Sequence, residues 1–402
     1  MSISVSKKNV EYHVESVCSL SPRYAGTEGE VKTRGYIVSE GKKLGISVEL
    51  EEFEYLHYSS KFSKLETLTP VEEDLCNLPL FYAGNGVAEG EVVHVGSGAR
   101  EEFELLGKLG VDIEGKIVLA SNTRPFLVYP VAQQYGASGL VILTDAPDNL
   151  CRGGTATVNR EPGEIPAVLV PVAVEKKLLA LMSTGRLRLR VTSEGAFSRK
   201  TSSNIIMTMP GATIPGEQVI LAAHYDSLDL GEHACDNATG CAALLELARI
   251  FSELKADRTI RIIFFGVEEL GTCWGSFSYV DKHASELSSI RAVVICDGMG
   301  LPYDFKFDLM ASTKEIRAYV ANIVQELGHN IKGDVDPLLA FSDNLHFQMK
   351  GVPAVWLKGN QGIFHHTAGD DQETLDHDKL KWLADIDGEI IYRIATQKRL
   401  PF

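Results

Sequence analysis

The sequence lacks the run of about 18 apolar residues that would cross a bilayer. Stretches such as Ala167 to Val174 and Ile262 to Gly266 are only strand-sized. Basic charge is scarce: 39 Lys and Arg against 54 Asp and Glu leave a net charge of −15. That balance repels phosphate backbones and anionic lipid, so neither nucleic acid nor membrane is an expected partner. The seven cysteines, at 18, 76, 151, 235, 241, 273 and 296, form no C-x-x-C pair. A disulfide framework or thiolate zinc knuckle is therefore not expected. The first twenty residues carry Lys7, Lys8, Glu11 and Glu15 where a secretory leader needs an apolar stretch, so a cytoplasmic location is the expectation. H-E-x-x-H and G-x-S-x-G are also absent, which sets aside helix-borne zinc proteases and nucleophile-elbow hydrolases. GVDIEGKI (110–117) approaches a phosphate loop. It ends in Ile117 where a hydroxyl must meet magnesium, and it leads into a strand instead of a helix.

What is present is ordinary globular material, 402 residues with 45% hydrophobic and 23% charged, enough for two or three domains. Apolar residues recur at helical spacing through Val31 to Leu44, and the alternation of Ile46 to Leu50 predicts a strand. From Leu78 the texture changes to short β-branched runs, Glu91 to Val95, Lys116 to Ala120, Leu140 to Leu143 and Ala167 to Val170. Glycine-rich turns separate them, and the expectation is a small β-rich module. Beyond Ser203, strands alternate with helices: Gln218–Ala223, Gly240–Leu254, Thr259–Val267, Gly275–His283, Ala292–Cys296, Lys314–Leu327, Ala354–Leu357 and Asp378–Ile394. The predicted fold is α/β, a mixed and mostly parallel sheet flanked by helices, with the β-rich module inserted. Residues 1–72 and 197–402 would form the main domain and 73–196 the insert.

In such a sheet, functional groups collect beyond the carboxyl ends of the strands. His224 and Asp226 follow the first strand after Ser203, Asp236 precedes a helix, Glu268 and Glu269 end the next strand, and Asp297 ends the third. His365 and His366 follow the last strand. Singly, each has a structural reading, as a cap or a hydrogen-bonded histidine. Together, imidazoles and carboxylates without thiolates suit zinc or a similar divalent ion at an open catalytic site. Adjacent glutamates behind Ile262-Ile263-Phe264-Phe265 would be an electrostatic liability unless cations hold them. One of such a pair can bind metal while the other moves a proton, a hydrolase arrangement.

At AAHYDS (222–227), ACDNATG (234–240), FFGVEELGTCWGSFSYV (264–280), VVICDGMG (293–300), SDNLHF (342–347), GVPAV (351–355) and HHTAGDD (365–371) the sequence resembles the di-zinc exopeptidases. That family holds zinc aminopeptidases, glutamate carboxypeptidases and glutaminyl cyclases. IEGKIVLA (113–120), YGASGLVIL (135–143) and EIPAVLVP (164–171) resemble the protease-associated domain inserted in some members. The resemblance implies two Zn2+, with Co2+ or Mn2+ as substitutes, bridged by Asp236. His224 and Asp297 complete one site, Glu269 and His366 the other. Glu268 is then the general base, Asp226 orients His224, and a cis peptide follows Asp236.

One position departs from the pattern. Where many members place a tyrosine that holds the oxyanion, this chain has His365. Its imidazole either donates the same hydrogen bond, points away, or replaces His366 as ligand, although the H-T-x-x-D spacing to Asp370 favours His366. The expected function is a metallo-aminopeptidase acting on peptides with a free N-terminus. A carboxypeptidase or dipeptidase is the alternative and would need a cation such as Arg152, Arg160 or Lys358 to grip a carboxylate. A non-enzymatic receptor on the same fold is the third reading, disfavoured because no ligand position is missing.

Overall fold

The computed structural model describes residues 3–122, 124–147, 149–271, 273–302, 307–335, 342–358 and 362–402. Thr272, inside one of the quoted motifs, lies outside the described residues. Among the described residues a 14-stranded sheet runs through the chain. Its functional half is built on strand Ile214–His224, which pairs in parallel with Arg258–Phe265 on one side and Ile290–Ile295 on the other. Ile290–Ile295 pairs in turn with Ala354–Lys358, also in parallel.

These strands are apolar on both faces because both faces are covered by other elements. Val219, Leu221 and Ala223 pack with Val10, Val14, Leu244 and Ile390, from three different helices. Ile220 and Ala222, between them in sequence, pack on the opposite side with Phe265, Tyr279 and Phe347. Each such Val, Leu, Ile or Phe side chain contributes about 1.5–3 kcal/mol relative to exposure, so the strand ends are set by a large apolar core.

Two strands longer than any the sequence suggested join this half to the rest. Ser47–Thr69 and Arg188–Met209 form an antiparallel ribbon along most of their length. Near residues 205–209 the second of them pairs with Arg258–Phe265. Near residues 188–193 it pairs instead with Gly86–His94. The ribbon thus carries the sheet from one half to the other, and residue 197 lies inside it.

The segment expected to be β-rich is α/β. Strands Gly86–His94, Ile117–Ser121, Gly139–Leu143 and Ala167–Val170 follow one another in parallel. Helices Arg100–Lys108, Pro125–Gln134 and Val172–Thr184 accompany them. The reason is topological: parallel neighbours need a crossover connection, and the stretches read as turns are too long for hairpins. Helix Lys7–Cys18, also unassigned from the sequence, begins at Ser6, whose hydroxyl accepts the Asn9 N–H at 3.3 Å. Among the described residues no helix is long and apolar enough to cross a membrane.

Candidate active site

The histidines and carboxylates singled out in the sequence gather at one edge of the sheet. His224 is the last residue of its strand, Glu268 and Glu269 lie just past Phe265, and Asp297 lies just past Ile295. Asp236 sits in a tight turn, Ala234–Ala238, immediately before helix Thr239–Glu253. The peptide joining it to Asn237 is cis.

The Asp236 carboxylate is central. Its Oδ1 lies 3.1 Å from His224 Nε2, which is itself 3.7 Å from Asp297 Oδ1. Its Oδ2 lies 3.2 Å from His366 Nε2 and 3.0 Å from His365 Nδ1. His366 Nε2 is also 3.2 Å from Glu269 Oε2. Donor atoms gather on both sides of one carboxylate, as a pair of cation sites sharing Asp236 would require.

The surrounding bonds explain how such a loop is held. Asp370 accepts the N–H groups of Cys235 at 2.8 Å and Asp236 at 3.1 Å. Asn237 donates to the Cys296 carbonyl at 2.9 Å and accepts the Gly240 N–H at 3.0 Å, tying the turn to the strand that ends in Asp297. A Cβ on Gly240 would stand 2.3 Å from the Cys296 carbonyl oxygen, so only glycine allows this approach. Ser342 donates to Asp297 Oδ2 at 2.6 Å. The sequence reading did not single out Asn237 or Ser342, and it used Asp370 only as spacing. Their work is done through backbone groups and through another residue's carboxylate, which spacing does not show.

Asp226 is fully buried and accepts the N–H groups of Glu268 at 2.9 Å and Glu269 at 3.2 Å. Its carboxylate lies 3.7 Å from His224 Nδ1, whereas the Asp226 carbonyl is nearer at 3.2 Å. The residue therefore fixes the backbone of both glutamates as well as bordering the histidine. Val267, just before them, has φ of 60°, a left-handed conformation that is a real outlier for a β-branched residue. Trp274 and Gly275 hold it by donating to the Val267 and Gly266 carbonyls.

The electrostatics are those of charge packed without enough countercharge. Burial, opposed by His224 but reinforced by Glu269, Asp343 and Asp297, holds the Glu268 carboxyl well above the usual range. Burial and the charge of Asp236 push Glu269 up to about 7. Burial works against a charged His224, yet contacts with Asp226, Asp236 and Asp297 leave it well above the usual histidine range. Burial and the neighbouring His366 push His365 down to about 4.

Several atoms have no hydrogen-bond partner. Glu269 Oε1, Asp297 Oδ1, both Asp343 carboxylate oxygens and His365 Nδ1 are buried without a hydrogen bond, an expensive state for a charged oxygen. Donor atoms around a tetrahedral zinc with bonds of about 2.0–2.1 Å stand about 3.3 Å apart. The separations of 3.1 to 3.7 Å on the two sides of Asp236 match that spacing. The residues fit a zinc site by donor type, spacing and unmet valence.

Comparison with known proteins agrees with this geometry. Residues 204–391, the segment that carries these side chains, match the sequence pattern of peptidase family M28. The segment that bears the site thus carries the M28 peptidase pattern. The chain is 27% identical to aminopeptidase YwaD of Bacillus subtilis (strain 168), an alignment covering 95% of this chain and 83% of that one. It is 23% identical to carboxypeptidase Q of Mus musculus, over 96% of this chain and 85% of the other. In three dimensions the chain superposes on a zinc aminopeptidase from Bacillus subtilis with a TM-score of 0.78. The identity is 21%, over 99% of this chain and 97% of that structure.

Proposed function

We propose that this chain is an M28 peptidase, an aminopeptidase that removes N-terminal residues from peptides at a zinc centre of two ions sharing Asp236. The carrying observation is the split of the Asp236 carboxylate, one oxygen toward His224 and the other toward His366. His224 and Asp297 would hold one ion, Glu269 and His366 the other. When bound, zinc supplies Lewis acidity toward a carbonyl oxygen and lowers the pKa of water toward about 7.

The chain's own groups do the rest. Glu268 is the general base: its backbone N–H is fixed on Asp226 and its carboxyl is raised by burial, so it can take a proton from the attacking water and return it to the leaving amine. Asp226 orients this glutamate pair and borders His224. The carboxylates crowded at the strand ends provide the negative field that a substrate's free ammonium group needs.

The segment 73–196, which we read as the protease-associated insert, shapes the cleft from its side. Gly153 donates to the His366 carbonyl at 2.7 Å, and the Arg152 guanidinium donates to the carbonyls of His365 and Ile363. All seven cysteines are free, which supports action in a reducing compartment such as the cytoplasm.

A carboxypeptidase is the second reading, and one observation favours it. Arg152 is committed to Asp145 and to those carbonyls, but Arg160 stacks over Phe277 with a buried Nη1 that has no partner. That nitrogen is available to a carboxylate.

The deciding experiment incubates zinc-loaded protein with one peptide in three forms, unblocked, N-acetylated and C-amidated, and reads the products by mass spectrometry. Stepwise N-terminal loss from the unblocked and amidated forms alone is the expected result. Trimming from the other end, blocked by amidation and indifferent to acetylation, would establish the carboxypeptidase instead.

A further inference from the structure

Two adjacent residues in an extended chain point to opposite sides, yet His365 and His366 face the same carboxylate. The backbone explains how. His366 adopts φ of 57°, and this left-handed turn brings the two rings together, centroids 3.7 Å apart and 32° from parallel. Both chain carbonyls are held from outside the turn, that of His365 by Arg152 and that of His366 by Gly153. The paired placement of the imidazoles is therefore built into the fold.

We propose that His365 is itself a metal ligand through Nδ1, joining Asp236 and His366 around the same ion, with Glu269 beside His366. The proposal rests on the two-ion reading given above and adds a ligand to it. His365 Nδ1 is 3.0 Å from Asp236 Oδ2 and buried, but it makes no hydrogen bond there. A ring nitrogen this close to a carboxylate oxygen is placed as two ligands of one ion are placed. The ligand atoms of Asp236, His365 and His366 all lie within 4.8 Å of one another, as the group of His224, Asp236 and Asp297 does on the other side.

The consequence is an asymmetric centre. One ion meets a single imidazole among carboxylates, whereas the other meets two imidazoles and two carboxylates. Added imidazole nitrogen favours zinc and cobalt over manganese and magnesium, so the second ion should be the more selective. Engaged in this way, Nδ1 of His365 is not free to hold a developing oxyanion.

The test uses the full chain stripped by a chelator. Zinc affinity is read by competition with a chromophoric chelator, and coordination is read from visible absorption after loading with Co2+. Wild type, His365→Phe and His366→Phe are compared. Removing His365 should weaken one of the two ions at least about tenfold, since even outer partners of a ligand carry that much, leave the other unchanged, and alter the cobalt spectrum. His366→Phe should weaken the same ion. Two ions bound by His365→Phe with wild-type affinity and spectrum would overturn the ligand assignment while leaving the two-ion reading intact. A wild-type stoichiometry of one would overturn both. Should His365→Phe not fold, X-ray absorption on the wild-type zinc protein serves: more than one imidazole per zinc on average supports the assignment, and one per zinc contradicts it.

Discussion

The two sides of Asp236 are held in different ways. On the His224 side the donors sit at the ends of core strands, and their side chains are almost sealed from solvent, 1% exposed for His224 and 5% for Asp297. On the other side the imidazoles sit on a turn and are 20% exposed for His365 and 27% for His366. That turn is propped by Arg152 and Gly153 from the segment between residues 73 and 196. One half of the centre inherits its geometry from the sheet, and the other, Glu269 apart, borrows it from a remote part of the chain. The sheet-held half should be hard to disturb, and the turn-held half should respond to changes far away in sequence.

The strongest break of this comparison is Asp236→Ala, which removes the group common to both sides. It should abolish retention of both ions and all peptidase activity, measured by metal analysis of the folded variant. Next comes Glu268→Gln, expected to lower kcat by about 10²–10⁴-fold with metal content and KM little changed, as steady-state kinetics would show. Arg152→Ala probes the borrowed geometry alone. It should weaken the ion on the His366 side by about tenfold or more and spare the one on the His224 side, because a lost hydrogen bond from a charged donor costs about 1.5–3 kcal/mol. Equal weakening of both ions would erase the distinction.

The smallest effect concerns the support behind Asp297. Asp387 is buried, with one carboxylate oxygen near Cys296 Sγ at 3.3 Å and the other unpartnered. Burial pushes it up to about 8. The unfolded chain releases this proton near pH 4, whereas the folded chain keeps it to about pH 8, so stability falls as pH rises through that window. Asp387→Asn should flatten that slope. It should match wild type at pH 4 and exceed it by about 1–4 kcal/mol at pH 7.5 in denaturant unfolding.

What was legible in the sequence follows the same division. Strand ends are announced by apolar runs that stop at a charge, which is why His224, Glu268, Glu269 and Asp297 could be read directly. The four strands predicted beyond Ser203 lie within a few residues of their observed bounds for the same reason, whereas Phe307–Ala311 and Ile331–Val335 were not predicted. The long ribbon was not legible, because Ser47–Thr69 interrupts its buried positions, such as Phe53, Tyr55 and Tyr58, with an exposed run from Ser59 to Phe62 and carries polar residues through most of its length. The helices of the inserted segment were read as turns, since Arg100–Lys108 buries only Phe103. Asp370 and Asn237 act on backbone groups more than a hundred and nearly sixty residues away, respectively. Such long-range pairings have no local periodicity to reveal them.

The central claim is that Asp236 joins a sheet-held ion and a turn-held ion. Anomalous diffraction at the zinc edge, from crystals of the zinc-loaded protein, tests it most directly. The account predicts two peaks flanking the Asp236 carboxylate, one against His224 and Asp297 and the other against His365, His366 and Glu269. A single peak, or two peaks that do not share Asp236, would contradict it.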